Sequence, residues 1–255
     1  MNKKRFIDLL IIILVCIMAF SGYKLYGIMR DAKESKQQYE QLEQLIETPQ
    51  NSADSAMTAA QKYQSIYDQN NDFIGWIYIP DTALSYPVMQ TPAKPEYYLR
   101  RNFEGKYSVR GVPFVDHRCT IDFSDNTIVY GHNMMNGTMF SVLESYSKES
   151  YWQDHRYIGF DTMNGYGTYA VAICARIDLR NTDFNYIDTI DFSNAEEFDS
   201  YIAKIKETAF YETDVELSFG DKLLLLSTCQ SNYDDGRYVV IAKKISDQDL
   251  SSAGL

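Results

Sequence analysis

Residues 222–244, K-L-L-L-L-S-T-C-Q-S-N-Y-D-D-G-R-Y-V-V-I-A-K-K, decide the fold of this chain. Two apolar runs flank a short polar turn that ends at Gly236. Aliphatic and β-branched residues on either side of an Asn/Asp/Gly turn predict two neighbouring strands. Cys229 ends the first run and Arg237 begins the second. A thiol and a guanidinium are therefore expected on adjacent strands.

Two interpretations of Cys229 are open at this point. A nearby cation favours the thiolate, which is the reactive form of cysteine, so Cys229 would be a nucleophile next to Arg237. The alternative is an unreactive core cysteine beside a surface arginine, because free cysteine is among the most buried residue types. This stretch alone favours the second interpretation.

The rest of the chain is dominated by strand signals. Six further strands are predicted at 73–79, 84–89, 112–116, 126–130, 157–162 and 166–177. Pro87 lies inside the second of these and indicates an edge or a bend. Helices are predicted at 138–146 and 194–208, the latter beginning with a capping box at residues 193–196 (S-N-A-E). Many short strands with few helices predict a mainly β fold, a closed or nearly closed barrel.

Composition excludes several classes of function. The 255 residues include 24 Lys and Arg against 35 Asp and Glu, a net charge of −11. An acidic chain without a basic cluster argues against nucleic-acid binding. The four cysteines, Cys16, Cys119, Cys174 and Cys229, are scattered and form no CxxC pair. They predict neither a disulfide framework nor a zinc site, and at least one thiol should be free.

The N-terminus has the pattern of a membrane anchor. Residues 1–5 are basic, and residues 6–29 are apolar enough for a transmembrane helix, which needs about 20 residues. The basic cluster predicts a cytoplasmic tail at 1–5 and an extracellular chain after the anchor. A cleaved signal peptide with a site at 19–21 (A-F-S) is the alternative. The helical pattern continues past that site, which favours the uncleaved anchor.

Residues 30–70 predict two helices between the anchor and the main domain. The first, to about residue 46, has the character of a stalk. The second carries an apolar stripe that includes Ala59, Tyr63 and Ile66, and it is expected to pack on the domain. The domain itself is assigned to 71–247, with a C-terminal tail at 248–255.

His132 is the histidine best placed for proton transfer. It directly follows the predicted strand 126–130, in Y-G-H-N, where Gly131 permits an unusual backbone. With Cys229 it would form a nucleophile and its acid/base partner, and Arg237 would steady an oxyanion or hold the substrate backbone. His155, before a strand, predicts a surface or capping role, and His117 is structural or merely exposed.

At these residues the chain resembles the sortases, membrane-anchored cysteine transpeptidases of Gram-positive bacteria. The sortase signature is Thr-Leu-x-Thr-Cys at a strand end with an arginine on the next strand. Here it reads L-L-S-T-C at 225–229, followed by Arg237, so that Leu225 replaces the first threonine. Leu225 precedes the site on its strand, so this departure is expected to be tolerated.

Other segments resemble class B in particular, over about residues 72–245. They are, in order, 74–77 (I-G-W-I), 86–90 (Y-P-V-M-Q), 97–99 (Y-Y-L) with 102–103 (N-F), 130–133 (Y-G-H-N), 136–140 (N-G-T-M-F) and the long helix-bearing insertion between Ile177 and Lys222. The resemblance implies an eight-stranded sortase barrel with N-terminal helices packed on it and a helix in the insertion before the cysteine strand.

The resemblance also implies the reaction. Cys229 would attack the carbonyl of a threonine in the C-terminal sorting signal of a surface protein and form a thioester. An amine on a cell-wall precursor such as lipid II would resolve it. His132 would protonate the leaving amine and deprotonate the incoming one, while Arg237 would orient the substrate and stabilise the oxyanion. No metal or other cofactor is expected.

The resemblance further implies the residues that line the peptide groove: Leu99, Thr182, Tyr186, Ile187, Ser227 and Thr228. The match at Thr182 is the loosest of these. Two other functions remain open, namely a cysteine peptidase that only hydrolyses the thioester and a non-catalytic, membrane-tethered binding module.

Overall fold

The computed structural model describes residues 3–46, 57–180, 184–229 and 236–246, with the backbone alone at residues 3, 5, 6, 9 and 229. The chain divides into two compact units, residues 1–42 and 43–255. Of the predicted site residues, Thr182 lies outside the described residues, and so does the predicted tail 248–255.

The first unit consists of one helix. Helix α1 runs over Lys3–Gln44, so the predicted anchor and the predicted stalk form a single uninterrupted element. The stretch Leu10–Gln44 contains a window with a mean hydropathy of 2.0. By length and composition alone, this helix could cross a membrane. A signal sequence near an N-terminus passes the same test.

The second unit is a closed barrel of eight strands, as the resemblance implied. The strands are β1 (Phe73–Tyr78), β2 (Ser85–Met89), β3 (Phe114–Val115), β4 (Asn126–Gly131), β5 (Tyr157–Thr162), β6 (Thr168–Asp178), β7 (Leu223–Cys229) and β8 (Gly236–Lys244). Their order around the barrel is β1-β2-β3-β4-β7-β8-β6-β5, and β5 closes on β1.

Strand β7 lies at the centre of the part of the barrel that carries the predicted site residues. It pairs with β4 in parallel and with β8 in antiparallel. Its run of leucines, Leu223–Leu226, is fully buried, which indicates that both faces of the strand are covered. Leu225, the departure from the sortase signature, lies between Ile128 and Ile241 in this apolar layer.

Pro87 lies on a locally unpaired side of β2, although the barrel as a whole is closed. It pairs with Trp76 inside β2, and β2 joins β3 only at Met89 and Phe114. The Met89 amide donates to the Pro113 carbonyl at 3.0 Å on the β3 side. The nitrogen of Pro87, two residues earlier, faces the same side, where no ladder forms. A missing N–H is therefore tolerated within the closed barrel.

Helix α2, Ala59–Tyr67, packs on the barrel as predicted. Ala59, Tyr63 and Ile66 are buried. The Tyr63 hydroxyl and the Lys62 ammonium donate to the buried carboxylate of Asp161 on β5, at 2.6 and 3.0 Å. A charged side chain in the barrel is thus satisfied by the helix that covers it.

Helix α4, Ala195–Lys206, is the helix predicted within the insertion, and its start differs by one residue from the prediction. Asn194 is the N-cap, since its side chain accepts from the Glu197 amide at 2.9 Å, and the Glu197 carboxylate accepts from the Ser193 amide at 2.8 Å. The cap therefore uses Asn194 and Glu197 instead of Ser193 and Glu196.

The remaining helical segments are short. Those after β2 and β4 are 3-10 helices, Tyr97–Arg100 and Phe140–Ser147, and the second of these replaces the helix predicted at 138–146. Helix α3 is Glu149–Asp154, and the following residue, His155, is its C-cap. The His155 ring stacks on Tyr151 with a centroid distance of 4.1 Å. The capping role predicted for His155 is confirmed.

Candidate active site

The last pair in the β7–β8 ladder is Cys229 with Arg237. The two residues predicted to act together therefore stand directly opposite each other on antiparallel strands. The register is continuous from Leu223 with Lys243 to this pair, so seven successive pairs fix it. The Arg237 side chain is half-buried and donates to the Gly236 carbonyl at 3.1 Å.

His132 reaches the same end of β7 from the other side. In the parallel β4–β7 ladder the last pair is Gly131 with Thr228, and His132 and Cys229 are the residues that directly follow the two members of this pair. The barrel topology thus brings together residues that are 97 positions apart in the sequence (229 − 132).

Packing, and not backbone conformation, requires a glycine at position 131. A Cβ atom there would come within 2.5 Å of the Phe140 ring, and the φ of Gly131 is not among the positive ones. The predicted unusual backbone is therefore wrong at Gly131. Phe140 instead sits against the strand end and donates its amide to the His132 carbonyl at 2.9 Å.

The imidazole of His132 is oriented by a backbone carbonyl. Its Nε2 lies 2.8 Å from the oxygen of Leu99, in the first 3-10 helix. A carbonyl only accepts hydrogen bonds, so Nε2 carries a proton, and in the neutral ring Nδ1 holds the free lone pair. Burial and the charge of Arg100 lower the pKa of His132 despite the opposing Leu99 bond. The ring is therefore mostly neutral at pH 7.

A groove of about 500 Å³ runs beside this strand end. Of the predicted site residues, His132, Arg237, Leu99, Tyr186, Ile187, Ser227 and Thr228 all line it. We call the lining residues on β4, β7 and β8, together with His132 directly after β4, the barrel wall, namely Tyr130, Gly131, His132, Ser227, Thr228 and Arg237. We call those between β6 and α4 the insertion wall, namely Leu179, Tyr186, Ile187 and Asp188.

The insertion wall is attached to the barrel by side-chain hydrogen bonds. The hydroxyls of Tyr186 and Ser227 lie 2.6 Å apart, both buried. The Tyr201 hydroxyl, on α4, donates to the Tyr186 carbonyl at 2.8 Å. The buried Asn126 side chain of β4 donates to Tyr201 and to the Thr189 carbonyl, each at 3.0 Å. Tyr186 is thus fixed at both its hydroxyl and its carbonyl.

Residues that the sequence did not single out also line the groove. Asp116 and Arg118 form a two-point ion pair, with Nε to Oδ1 at 2.9 Å and a terminal nitrogen to Oδ2 at 2.8 Å. The Tyr130 hydroxyl donates to the same carboxylate at 2.8 Å. His117, for which only a structural or exposed role was considered, lies between them and is 43 % exposed in its side chain. The sequence signal that could have indicated these groove residues is Asp-His-Arg at 116–118, directly after a predicted strand.

The charge state of Asp116 follows from these contacts. Burial alone would raise the pKa of Asp116, but the hydrogen bonds from Arg118 and Tyr130 outweigh it and hold that pKa at about 2. The carboxylate is therefore ionised at neutral pH and forms a permanent pair with Arg118.

The other cysteines of the barrel are poor nucleophiles. Cys119 and Cys174 are free and buried, as the scattered spacing predicted. Burial raises the pKa of Cys119 to about 11 and that of Cys174 to about 12, so both are thiols at pH 7.

Within the described ranges, no group of three or more His, Cys, Asp or Glu side chains could hold a metal ion.

Comparison with known proteins assigns the family. The sortase domain model matches residues 77–245. Sortase B of Staphylococcus aureus is 33 % identical over 96 % of this chain and 99 % of its own, and sortase B of Listeria monocytogenes is 36 % identical over 69 % of this chain and 71 % of its own.

A solved structure agrees with this assignment. The S. aureus sortase B–substrate complex superposes with a TM-score of 0.76 at 32 % identity, covering 86 % of this chain and 99 % of that one. Motifs, barrel topology and relatives point to one conclusion: the chain belongs to class B of the sortase family and is a cysteine transpeptidase.

Proposed function

We propose that this enzyme is anchored in a membrane, cleaves the C-terminal sorting signal of surface proteins after a threonine, and transfers the protein to an amine of a cell-wall precursor such as lipid II. The observation that carries the proposal is the strand register: Cys229 pairs with Arg237, and His132 and Cys229 directly follow the paired residues Gly131 and Thr228 beside a groove. The solved structure of S. aureus sortase B in complex with a substrate supports substrate binding by this fold.

Cys229 is the nucleophile of the proposed reaction. Neutral His132 takes the thiol proton at Nδ1, and the thiolate attacks the threonine carbonyl carbon. As the tetrahedral intermediate collapses, the C–N bond breaks and the imidazolium returns the proton to the leaving amine. This leaves a thioester on Cys229 and a neutral His132.

The second half of the reaction runs these steps in reverse. An incoming amine attacks the thioester carbon while His132 Nδ1 accepts a proton from its nitrogen. The new C–N bond forms, the C–S bond breaks, and the proton passes to the Cys229 sulfur. The Nε2 bond to the Leu99 carbonyl keeps the ring oriented in both halves, and only Nδ1 exchanges protons.

Arg237 provides the positive charge for the proposed chemistry. Its guanidinium orients the substrate backbone by paired hydrogen bonds and stabilises the oxyanion of each tetrahedral intermediate. Its place opposite Cys229 at the start of β8 supports this role. The backbone ladder holds both residues, so the charge is preorganised.

The sorting signal occupies the groove. Leu99, Tyr186, Ile187, Ser227 and Thr228 are proposed to contact it, because all five line the groove beside the strand end. Thr182 remains a prediction from the resemblance alone.

The proposed location places the N-terminus in the cytoplasm and the barrel outside the cell. The support is the long apolar helix α1 with basic residues at its start. Protease digestion of intact and permeabilised cells tests it: the barrel should be digested in both. Protection of the barrel in intact cells would contradict the orientation.

A product assay tests the reaction. The full chain in detergent is incubated with a panel of sorting-signal peptides that vary around one threonine, with and without a peptide amine or hydroxylamine. A transpeptidase gives a product with the amine joined to the threonine carboxyl group. Free acid even at high amine concentration would indicate the peptidase that only hydrolyses, and no cleavage of any peptide would favour the binding module.

A further inference from the structure

One side chain joins the barrel to the insertion wall from outside the Cys-His-Arg set. The Arg118 guanidinium donates to the backbone carbonyl of Ile187 at 2.6 Å, across 69 residues of sequence. The same nitrogen donates to Asp116 Oδ2 at 2.8 Å. Arg118 thus holds a carboxylate of the barrel and a carbonyl of the insertion wall at once.

The barrel side of this bridge is rigid. Asp116 follows β3, and its amide donates to the Ile128 carbonyl of β4 at 2.9 Å. Its carboxylate accepts from Arg118 Nε and from the Arg118 amide, at 2.9 and 3.0 Å, and from the Tyr130 hydroxyl at 2.8 Å. The carboxylate therefore fixes the plane of the guanidinium, and that plane determines where the Ile187 carbonyl can sit.

The insertion side is a part of the groove proposed to contact peptide. Ile187 and its neighbour Tyr186 both line the groove. The Tyr186 side chain is held by Ser227, and the Ile187 carbonyl accepts from Arg118. A lysine could not replace this guanidinium, because an ammonium lacks the planar arrangement of donors that meets both acceptors.

We propose that Arg118 is a positioning residue that fixes the Ile187 segment of the insertion wall and thereby sets the affinity of the enzyme for its peptide substrate. This inference rests on the proposed function, in which the groove binds the sorting signal. Arg118 acts on the substrate through Ile187, and the chemistry at Cys229 does not need it.

The test compares Arg118→Lys with Arg156→Lys in the full chain. Arg156 is a matched control because it also pairs with an aspartate, Asp214, and its side chain is 34 % exposed against 36 % for Arg118. We expect Arg118→Lys to raise KM for a cleaved peptide about tenfold and to leave kcat within about twofold. Arg156→Lys should leave both constants close to wild type.

The rate of Cys229 alkylation by iodoacetamide separates positioning from a general structural defect. This small reagent does not need the insertion wall, so its rate should be the same in Arg118→Lys and wild type. Slower alkylation, a fall in kcat at unchanged KM, or a KM equal to that of Arg156→Lys would each overturn the proposal.

Tyr130→Phe keeps the proposal falsifiable if Arg118→Lys does not fold. It removes only the hydroxyl that steadies Asp116, so it should raise KM by a smaller factor, about threefold, again without lowering kcat. An unchanged KM there would overturn the role of the bridge. If the wild-type enzyme cleaves no sorting-signal peptide, the proposed function itself fails, which is a distinct result from equal KM values among variants of an active enzyme.

Discussion

The two walls of the groove are held in place by different interactions. The barrel wall lies on β4, β7 and β8 and at His132 directly after β4, and continuous backbone ladders fix the register of its strand residues. The insertion wall is held by a few side-chain hydrogen bonds, among them Tyr186 to Ser227 and Arg118 to Ile187. Each such bond contributes about 1 kcal/mol, whereas a ladder distributes its stabilisation over many bonds.

This difference indicates a division of labour. Bond-making groups must be held within about half an ångström of their working geometry, which favours regular strands. A peptide-binding surface tolerates more adjustment, and its few contacts can change without disturbing the barrel. Substitution of the bond-making groups Cys229, His132 or Arg237 should therefore lower kcat, and substitutions in the insertion wall should raise KM.

The largest effect is expected at Cys229. Cys229→Ala should reduce peptide cleavage to background, because no other thiol of the described barrel can substitute: burial raises the pKa of Cys119 to about 11. Alkylation followed by mass spectrometry should modify Cys229 well before Cys119 and Cys174. Equal modification of all three would contradict an activated nucleophile at the end of β7.

Arg237→Lys should have the next largest effect. The charge stays, but the planar guanidinium is lost, and we expect kcat/KM to fall about a hundredfold, mostly in kcat. Arg176→Lys is the control, because Arg176 pairs with Tyr238, the neighbour of Arg237, and its side chain points to the other face of the sheet. Near-normal turnover in Arg237→Lys would remove Arg237 from the proposed chemistry.

The sequence predicted the barrel wall well because its signals are local. Short sequence windows are enough to identify the apolar runs, the turn before Gly236 and the strand end before His132. The order of the strands then determines which residues lie next to each other. Gly131 shows the limit: its glycine was attributed to backbone freedom, but the reason is the Phe140 ring, a contact that only the folded chain reveals.

The bridge from Asp116 through Arg118 to Ile187 could not be predicted in the same way. Asp and Arg two residues apart are common in surface turns, and the Asp178–Arg180 pair has the same spacing. Arg118 differs in that it also donates to the Ile187 carbonyl, 69 residues away. This contact depends on the path of a long insertion, which no local sequence pattern encodes. The one-residue error at the Asn194 cap has a local cause, because Ser193 and Asn194 are adjacent and both are favoured N-cap residues.

A smaller effect is expected from the charge of Asp116, which links the two walls. Its pKa is about 2 in the folded chain against 3.8 ordinarily, so ionisation contributes about 2 kcal/mol to stability. A depressed pKa gives stability that is present above pH 3.8 and lost as the pH falls toward 2. Asp116→Asn should lack this contribution at neutral pH.

Urea unfolding measures the Asp116 effect. The difference in unfolding free energy between wild type and Asp116→Asn should be near its full value at pH 6 and should shrink below about pH 4. Asp214→Asn is the control, since that carboxylate is 65 % exposed and should change stability little. A difference that stays constant with pH would mean that the charge of Asp116 is not what stabilises the bridge.

The smallest effect is expected from Tyr186→Phe, which removes one hydroxyl from the insertion wall. The Ser227 hydroxyl, buried at 1 % exposure, loses its partner at 2.6 Å, and the cost should be about 1 kcal/mol of stability with a KM several-fold higher. Tyr211→Phe, which loses a 2.9 Å bond to the Tyr146 carbonyl away from the groove, should cost similar stability and leave KM unchanged. If Tyr186→Phe instead lowered kcat at constant KM, the insertion wall would take part in the chemistry, and the division between the two walls would not hold.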